Sequence, residues 1–267
     1  MIKSEFISSF EDFKILIEKI GKSKQQEFLG LKANKWRYYR GQASNSYKLL
    51  PWIARRSTNA VELKQKEIEL FEEFNKIISQ KDLSSIIRKS QGNYNYISEW
   101  EMFWQAQHLE IPTRFMDWSL SSYTAMYFAV RDSKKDYEDG QFWVLSIDNS
   151  YIANYAIYDC SPYEFGRTVV LNPYSNDYSN FDTQTAELRK ISQSGNFLIQ
   201  NYKNSLIPLE EQEEFTQCLE KFIIPKEKKK EFRDRLLEMS YTEEKLLPNI
   251  EPNFKLEAQK LISKYKF

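Results

Sequence analysis

One proline separates two kinds of backbone within a few positions of this chain. Pro112 has no N–H and pushes Ile111 toward an extended conformation, so a helix that arrives from Trp100 should end before it. His108, the only histidine, lies at the expected end of that helix. A short polar segment, 113–119, then follows in extended form. Catalysis or ligand contact is therefore expected first at this helix end and in the segment after it.

The polar segment carries an arginine and a carboxylate that cannot meet in a straight strand. Alternate side chains of a strand share a face, so Arg114 and Asp117 fall on opposite faces, and a direct ion pair between them would need a bend. Two interpretations stay open. Either the two residues contact a ligand, or an internal Arg/Asp pair ties a turn to the core, because structural ion pairs can resemble functional ones.

Composition indicates an ordered globular protein. Aromatic residues make up 15% of the 267 residues and glycines number only 7, which argues against a flexible, disordered chain. The 38 basic residues balance the 38 acidic ones, so any nucleic-acid site would have to be a local patch. The sequence also lacks phosphate-loop, dinucleotide-fingerprint and serine-hydrolase motifs, which argues against an ATPase, a Rossmann dehydrogenase or a serine hydrolase.

Cysteine usage and the N-terminus predict a cytoplasmic protein. Cys160 and Cys218 lie far apart without metal-ligand spacing, which predicts reduced thiols and no metal site. The first residues include an acidic side chain where a secretory signal would be basic and apolar, and no apolar run reaches membrane-spanning length. We therefore expect no membrane partner.

Hydrophobic periodicity predicts helices and strands throughout the chain. A helix over 6–20 begins near Ser8 or Ser9 and ends at Gly21, and a strand over 36–40 ends in a tight turn at Gly41. Further helices are predicted over 59–88, 96–108, 121–130, 226–239 and 256–265, and strands over 141–147, 168–171, 196–199 and 222–225. A serine cap starts the helix over 121–130, and such a helix N-terminus suits an anion.

These elements predict an α+β fold in which a central mixed, largely antiparallel sheet is flanked by N-terminal and C-terminal helices. We divide the chain into an N-terminal helix within 1–30 that packs on the domain, a main domain over 31–250, and a C-terminal helix within 251–267. The loop over 160–182, rich in Tyr and Asn, is expected beside the site.

Several short blocks, in order along the chain, resemble the FRG domain family. They are Tyr39-Arg40-Gly41-Gln42, Leu50-Pro51 with Arg55, Gln107-His108, Pro112-Thr113-Arg114, Asp117-Trp118-Ser119 and Ala125-Met126-Tyr127-Phe128-Ala129. Blocks around Arg189 to Phe197, Phe222-Ile223-Ile224-Pro225 and Leu246-Leu247-Pro248 extend the resemblance, which covers roughly residues 36 to 250.

Two departures from the family pattern stand out. Tyr39 replaces the phenylalanine of the family's name, and Leu109-Glu110 stands where an aromatic or polar residue followed by glycine is more typical, which bears on the local backbone. The family occurs mainly in bacteria and phages and is sometimes associated with defence loci. The resemblance therefore suggests a role in bacterial anti-phage defence.

The first block is also similar to the first core strand of ADP-ribosyltransferases, which implies an ADP-ribosyltransferase-like fold and NAD as the cofactor. In those enzymes a strand-end arginine holds NAD phosphates or ribose, a polar strand before a helix lines the nicotinamide pocket, and a late carboxylate steadies the ribose cation. The analogy gives as catalytic candidates Arg40, His108, Asp117 and Gln193. It gives as NAD-contacting candidates Tyr39, Arg40, Gly41, Gln42, Thr113, Arg114, Trp118 and Ser119.

Physical chemistry supports some of these roles and limits others. A planar guanidinium at Arg40 can hold a phosphate with two parallel hydrogen bonds, although it could instead neutralise a buried carboxylate such as Asp117. Gln193 stands where a glutamate is expected, and an amide cannot supply the negative charge, which Glu187, Asp117 or Glu110 would then have to provide. His108 is an acid/base candidate or a structural residue.

The expected function is NAD-dependent ADP-ribosyl transfer, or NAD cleavage by a toxin-like effector, with a nucleotide-type small molecule as ligand and a protein or nucleic acid as possible acceptor. The alternative is a non-catalytic module that recognises a nucleotide or a phage component through Arg40, Arg114 and exposed aromatic residues such as Trp118. This alternative needs no catalytic carboxylate.

Overall fold

A computed structural model describes residues 2–28, 30, 35–80, 97–153, 159–171, 193–247 and 252–265. Within these residues the chain forms seven strands: β1 (Ser4–Phe6), β2 (Trp36–Gln42), β3 (Met116–Ser119), β4 (Gly140–Ile147), β5 (Val169–Leu171), β6 (Gly195–Ile199) and β7 (Leu219–Ile224). The same residues form seven α-helices: α1 (Phe10–Phe28), α2 (Ala60–Gln80), α3 (Ile97–His108), α4 (Ser122–Val130), α5 (Lys229–Glu238), α6 (Glu243–Leu246) and α7 (Pro252–Lys264).

All seven strands belong to one open sheet, in the order β1-β7-β4-β2-β3-β6-β5. Among these described strands only β1 and β7 run parallel, and the other neighbouring pairs are antiparallel. The chain is thus a mixed α/β protein with a largely antiparallel sheet, as the sequence predicts. The sequence pattern does not predict β1, because its three residues are all exposed and show no alternation of apolar and polar side chains.

The two halves of the sheet meet at a narrow junction between β2 and β3. β2 pairs with β4 along its whole length, from Trp36 opposite Ile147 to Gln42 opposite Gln141. With β3, in contrast, it shares the single residue pair Tyr39–Ser119. β3 instead pairs with β6 over all four of its residues. The two halves of the sheet are therefore joined by much less strand pairing here than within either half.

Alternate residues of the central strands pack in different layers. Tyr39 packs with helices α1, α4 and α5, whereas its neighbour Tyr38 packs on the opposite face. Phe197 packs with α2 and α3, and its neighbour Leu198 joins the cluster of Tyr38. Two helical layers therefore share one face of the sheet, one over each half, and the boundary between them lies over the β2–β3 junction.

Gly41 lets the helical layer touch the sheet directly. A Cβ at this position would lie 1.8 Å from the carbonyl oxygen of Ala125 and 2.7 Å from the amide nitrogen of Ala129, both in α4. The predicted turn at Gly41 is wrong, since β2 continues to Gln42. The glycine is needed for the close approach of a helix backbone, and not for a chain reversal.

The N-terminal helix also departs from the prediction. α1 begins at Phe10, after Ser9, whose hydroxyl oxygen accepts a hydrogen bond from the backbone N–H of Asp12 at 3.1 Å. The helix then runs through Gly21 to Phe28 instead of ending at the glycine. Because nothing lies within 4 Å of a Cβ at Gly21, this glycine has no packing role, and it is a weak point that the helix tolerates.

The other elements follow the sequence pattern closely. The predictions for α3, α4, α5, α7 and for strands β4 to β7 are confirmed, with Ser121 as the N-cap of α4. The expected continuation of α2 to residue 88 and most of the loop over 160–182 lie outside the described residues. No described helix combines the length and the apolar character that a membrane crossing requires.

Candidate functional site

A cleft of about 310 Å³ opens where β2 and β3 part. Its aromatic lining residues are Tyr39, Trp52, Trp118, Phe128 and Phe197, its charged ones are Arg40, Glu110, Asp117 and Arg131, and its polar ones include Gln107, Ser119, Thr124 and Gln193. Both helical layers contribute to it. The cleft therefore combines planar apolar walls with charges of both signs.

Arg40 extends from β2 into this cleft with few partners. One Nη donates a hydrogen bond to the backbone carbonyl of Asp117, while the Nε is buried and has no hydrogen-bond partner. Among the described residues no carboxylate forms an ion pair with it. The alternative role as partner of a buried carboxylate is thus not what is found, because the Asp117 side chain is exposed.

The electrostatic surroundings of Arg40 favour an anion. Burial lowers the pKa of the guanidinium, the negative charge of Asp117 opposes that effect, and the positive charge of Arg55 adds to it. The pKa of Arg55 is itself lowered by burial. A guanidinium stays protonated despite such shifts, so the cleft holds a poorly solvated cation with donors to spare. A phosphate or carboxylate would supply the missing charge and acceptors.

Asp117 is held from the side by a pair of neutral residues. Its Oδ2 accepts a hydrogen bond from the Nε2 of Gln107 at 2.9 Å, and the Oε1 of Gln107 accepts one from the hydroxyl of Thr113 at 2.5 Å. Gln107 lies in the last turn of α3, next to His108. The sequence did not predict its contact with Asp117. Thr113 is fully buried and acts behind the cleft instead of lining it.

The end of α3 places a second carboxylate at the cleft. The N–H of Ile111 donates to the carbonyl of Ala106 at 2.9 Å and that of Glu110 donates to the carbonyl of Gln107 at 3.1 Å, which is the Schellman pattern of a helix C-terminus. Glu110 has φ 63°, a left-handed conformation that favours glycine. The expected helix end before Pro112 is confirmed, and Glu110 lines the cleft at a position where glycine is usual.

Ser119 and Gln193 close one side of the cleft through mutual contacts. The hydroxyl of Ser119 donates to the backbone carbonyl of Gln193 at 2.6 Å and accepts from the N–H of Ser121 at 2.9 Å. The side-chain Nε2 of Gln193 donates to the carbonyl of Leu246 at 2.6 Å. Gln193 therefore connects the start of β6 to α6, and its amide nitrogen is already engaged.

Arg114 lies away from the cleft in a sealed network. Its Nε donates to the Oε2 of Glu67 at 2.7 Å, one Nη donates to the carbonyl of Gln200 at 2.8 Å and the other to the carbonyl of Pro162. The guanidinium also lies 3.8 Å from the ring centroid of Tyr202, and both charged side chains are fully buried. The internal ion pair considered from the sequence thus exists, with Glu67 as the partner in place of Asp117.

Other candidates from the sequence have structural positions as well. Trp118 borders the cleft, but only 1% of the residue is exposed and its ring packs with Met116 in the cluster of Tyr38, so it is not an exposed aromatic residue. Gln42 is buried and accepts a hydrogen bond from Gln141 at 2.9 Å. His108 is the last residue of α3, and its side chain lies outside what the structure describes.

Several residues that line the cleft are not predicted from the sequence, among them Trp52, Phe128 and Arg131. Phe128 and Thr124 are four residues apart on α4, so they share the helix face that looks into the cleft. The ring of Phe128 lies 5.1 Å from the guanidinium carbon of Arg131. Helical spacing could have grouped these residues, but it could not show which face remains open.

The fold and the site define an α/β protein with an open, mostly antiparallel sheet and, at its central junction, a cleft that carries charges of both signs. The model of the FRG domain family matches residues 35–138, the stretch from just before β2 to just after α4. The chain therefore carries an FRG domain, and most of the cleft belongs to it. The likeness of the downstream blocks, beyond residue 138, stays a prediction. Neither the curated proteins nor the solved structures gave a significant match to the chain.

Proposed function

We propose that the cleft binds NAD and that the protein either transfers ADP-ribose from NAD or cleaves NAD. One observation carries the proposal: Arg40 presents a guanidinium to the cleft with a buried, unpartnered Nε, and no carboxylate of the described residues forms an ion pair with it. A buried donor without a partner is costly to the protein unless a ligand uses it. The phosphates of a dinucleotide are acceptors of the matching charge and shape.

The remaining lining supports a nucleotide over a simple anion. Trp52 and Phe128 are partly exposed and offer aromatic surfaces, which suit a planar base or a nicotinamide ring. A cavity of about 310 Å³ is in the size range of small-molecule sites.

Asp117 is the residue that we assign to the chemistry. In the proposed reaction the bond between ribose C1′ and the nicotinamide nitrogen breaks, and nicotinamide leaves with the electron pair and becomes neutral. A carboxylate near C1′ stabilises the positive charge that develops there. Water or an acceptor hydroxyl then bonds to C1′ and releases its proton to the solvent. Gln193 cannot supply the negative charge, whereas Asp117 and Glu110 both line the cleft.

The biological setting follows from the ligand and from the family resemblance. NAD is a cytoplasmic metabolite, so the proposal places the protein in the cytoplasm, with a protein or nucleic acid as acceptor if ADP-ribose is transferred. An effect on cellular NAD fits the anti-phage role that the family resemblance suggests.

The test is nicotinamide release from NAD by the purified full-length protein, with and without a bacterial lysate as source of acceptor. We expect turnover by the wild type and a loss of about 100-fold or more in Asp117→Asn. Label from the adenine half of NAD that appears on macromolecules indicates transfer, and free ADP-ribose indicates cleavage. Saturable nucleotide binding without nicotinamide release would favour the alternative, a recognition module. No binding of any nucleotide would contradict the proposed function and would leave, of the alternative, only the recognition of a phage component.

A further inference from the structure

We propose that Gln107 and Thr113 are positioning residues, which form a directed hydrogen-bond chain that orients the carboxylate of Asp117. The inference rests on the proposed function only in treating Asp117 as the reacting group. The chain joins three elements: the last turn of α3, the segment after Pro112, and β3.

The geometry of the chain is continuous from buried backbone to open cleft. The backbone N–H of Phe115 donates to the Thr113 hydroxyl oxygen at 3.0 Å, and that hydroxyl donates to the Gln107 Oε1 at 2.5 Å. The Gln107 Nε2 donates to the Asp117 Oδ2 at 2.9 Å. Thr113 is fully buried, Gln107 is half-buried, and Asp117 is exposed. The chain thus begins in the core and ends on the proposed reacting carboxylate.

The chain has a fixed direction because each member has a limited set of donors and acceptors. With its oxygen turned to the Thr113 hydroxyl, Gln107 must present its NH₂ group to Asp117, which suits an ionised carboxylate that can only accept. The reverse orientation would place an amide oxygen against a carboxylate oxygen. The observed arrangement therefore holds one of the two oxygens of the Asp117 carboxylate, while the other oxygen has no hydrogen-bond partner among the described residues.

Other charges reach the same cleft from every side. Arg40 comes from β2, Glu110 from the turn after α3, and Arg131 from the end of α4. The side chain of His108 is not described. A change confined to Gln107 leaves all of these groups in place, so a change in pH dependence on altering Gln107 alone reports its contact with Asp117.

The sharpest test is Gln107→Glu, which keeps size and shape and still accepts from Thr113. Two carboxylates in contact cannot both ionise easily, so the pair holds a proton to higher pH. We expect the acidic limb of kcat for nicotinamide release to move up by about one pH unit or more. The matched control is Gln65→Glu on α2, where the exposed Gln65 also donates to a carboxylate, the Glu69 Oε1, at 2.7 Å. The control should leave the pH profile unchanged.

A second pair of variants tests the far end of the chain. Thr113→Val removes the hydroxyl and keeps the shape, whereas Thr113→Ser keeps the hydroxyl. We expect Thr113→Val to lower kcat by roughly 10-fold with little change in KM, and Thr113→Ser to restore most of it. Equal kcat in the two variants, both folded, would overturn the role of Thr113, and an unshifted pH profile in Gln107→Glu would overturn that of Gln107.

One further measurement separates this inference from the proposed function. The Asp117 side-chain carboxyl carbon can be followed by NMR during a pH titration of the protein without NAD. We expect its titration midpoint to be higher in Gln107→Glu than in the wild type. If the midpoint moves but no variant acts on NAD, the proposed reaction fails and the chain stands. If the midpoint does not move, the chain is overturned whatever the turnover.

Discussion

Arg40 and Arg114 are both arginines in polar motifs, and both are binding candidates from the sequence, yet the fold gives them opposite environments. Arg114 is sealed, bonded to Glu67 and to two backbone carbonyls, and stacked on Tyr202. Arg40 reaches a cleft with one backbone partner and an unpaired Nε. A guanidinium whose donors are used by the protein is structural, whereas one with unused donors facing a cavity is ready for a ligand.

The largest effect is expected at the sealed arginine. Arg114→Met leaves the Glu67 carboxylate buried without its cation, so the free energy of unfolding should fall by about 3–5 kcal/mol. The double variant Arg114→Met/Glu67→Leu should recover much of that loss, because no lone charge remains. Urea denaturation followed by circular dichroism measures both. A stable Arg114→Met variant that has lost nucleotide binding would show that Arg114 binds the ligand and is not a structural residue.

The next effect concerns the wall beside Arg40. Gly41→Ala forces a Cβ against the carbonyl oxygen of Ala125, 1.8 Å away without relaxation, so we expect a loss of about 3 kcal/mol or more in unfolding free energy. Gly21→Ala is the matched control, since that helical glycine has open space around it and should gain about 0.5–1 kcal/mol. Thermal unfolding of the two variants measures both changes in stability. A neutral Gly41→Ala would mean that α4 does not rest on β2.

A smaller effect of opposite sign is expected at the turn that carries the second carboxylate of the cleft. Glu110→Gly relieves the φ of 63° and should raise the free energy of unfolding by about 1 kcal/mol. Glu110→Ala removes the same charge but keeps the left-handed backbone strain, so it should bring no such gain. Denaturant titrations of the two variants separate backbone strain from charge. Equal stability would show that the backbone at this position is not strained.

A third arginine, Arg233, is intermediate between Arg114 and Arg40, because it forms an ion pair but is only partly buried. Arg233 forms two hydrogen bonds with the partly exposed Asp136, one of them at 2.7 Å, and this contact lowers the pKa of Asp136. A lowered folded-state pKa stabilises the fold above the unfolded value, about 3.9, and the gain is lost as pH falls through the folded pKa. Asp136→Asn should therefore cost less than about 1 kcal/mol at pH 7, and the cost should shrink as the pH falls toward 2. Stability curves at the two pH values test this.

Much of the fold could be predicted because local patterns determine it. The aromatic stripe of α3, the Ser121 cap of α4 and the apolar run of β4 identify their own elements. Local patterns did not predict the roles of two glycines. Gly21 and Gly41 each looked like an end of an element, but the chain continues through both, because helical packing and a distant helix backbone decide the outcome.

The site was predictable in part for the same reason. The motifs around Arg40, Asp117 and Ser119 do meet in one cleft, since β2 and β3 are neighbours in the sheet. The structural role of Arg114 depends on its ion pair with Glu67, a residue 47 positions earlier that no local sequence pattern identifies. Open and sealed arginines look alike in a sequence, because the difference is made by partners from elsewhere in the chain.

The most direct test of the central claim is a calorimetric titration of NAD into the wild-type protein and into Arg40→Ala, with thermal unfolding of both in the same buffer. We expect saturable binding by the wild type, an affinity about 100-fold lower in the variant, and unfolding midpoints within a few degrees of each other. Equal NAD affinity in two folded proteins, or failure of the wild type to bind NAD, would contradict the assignment of this cleft.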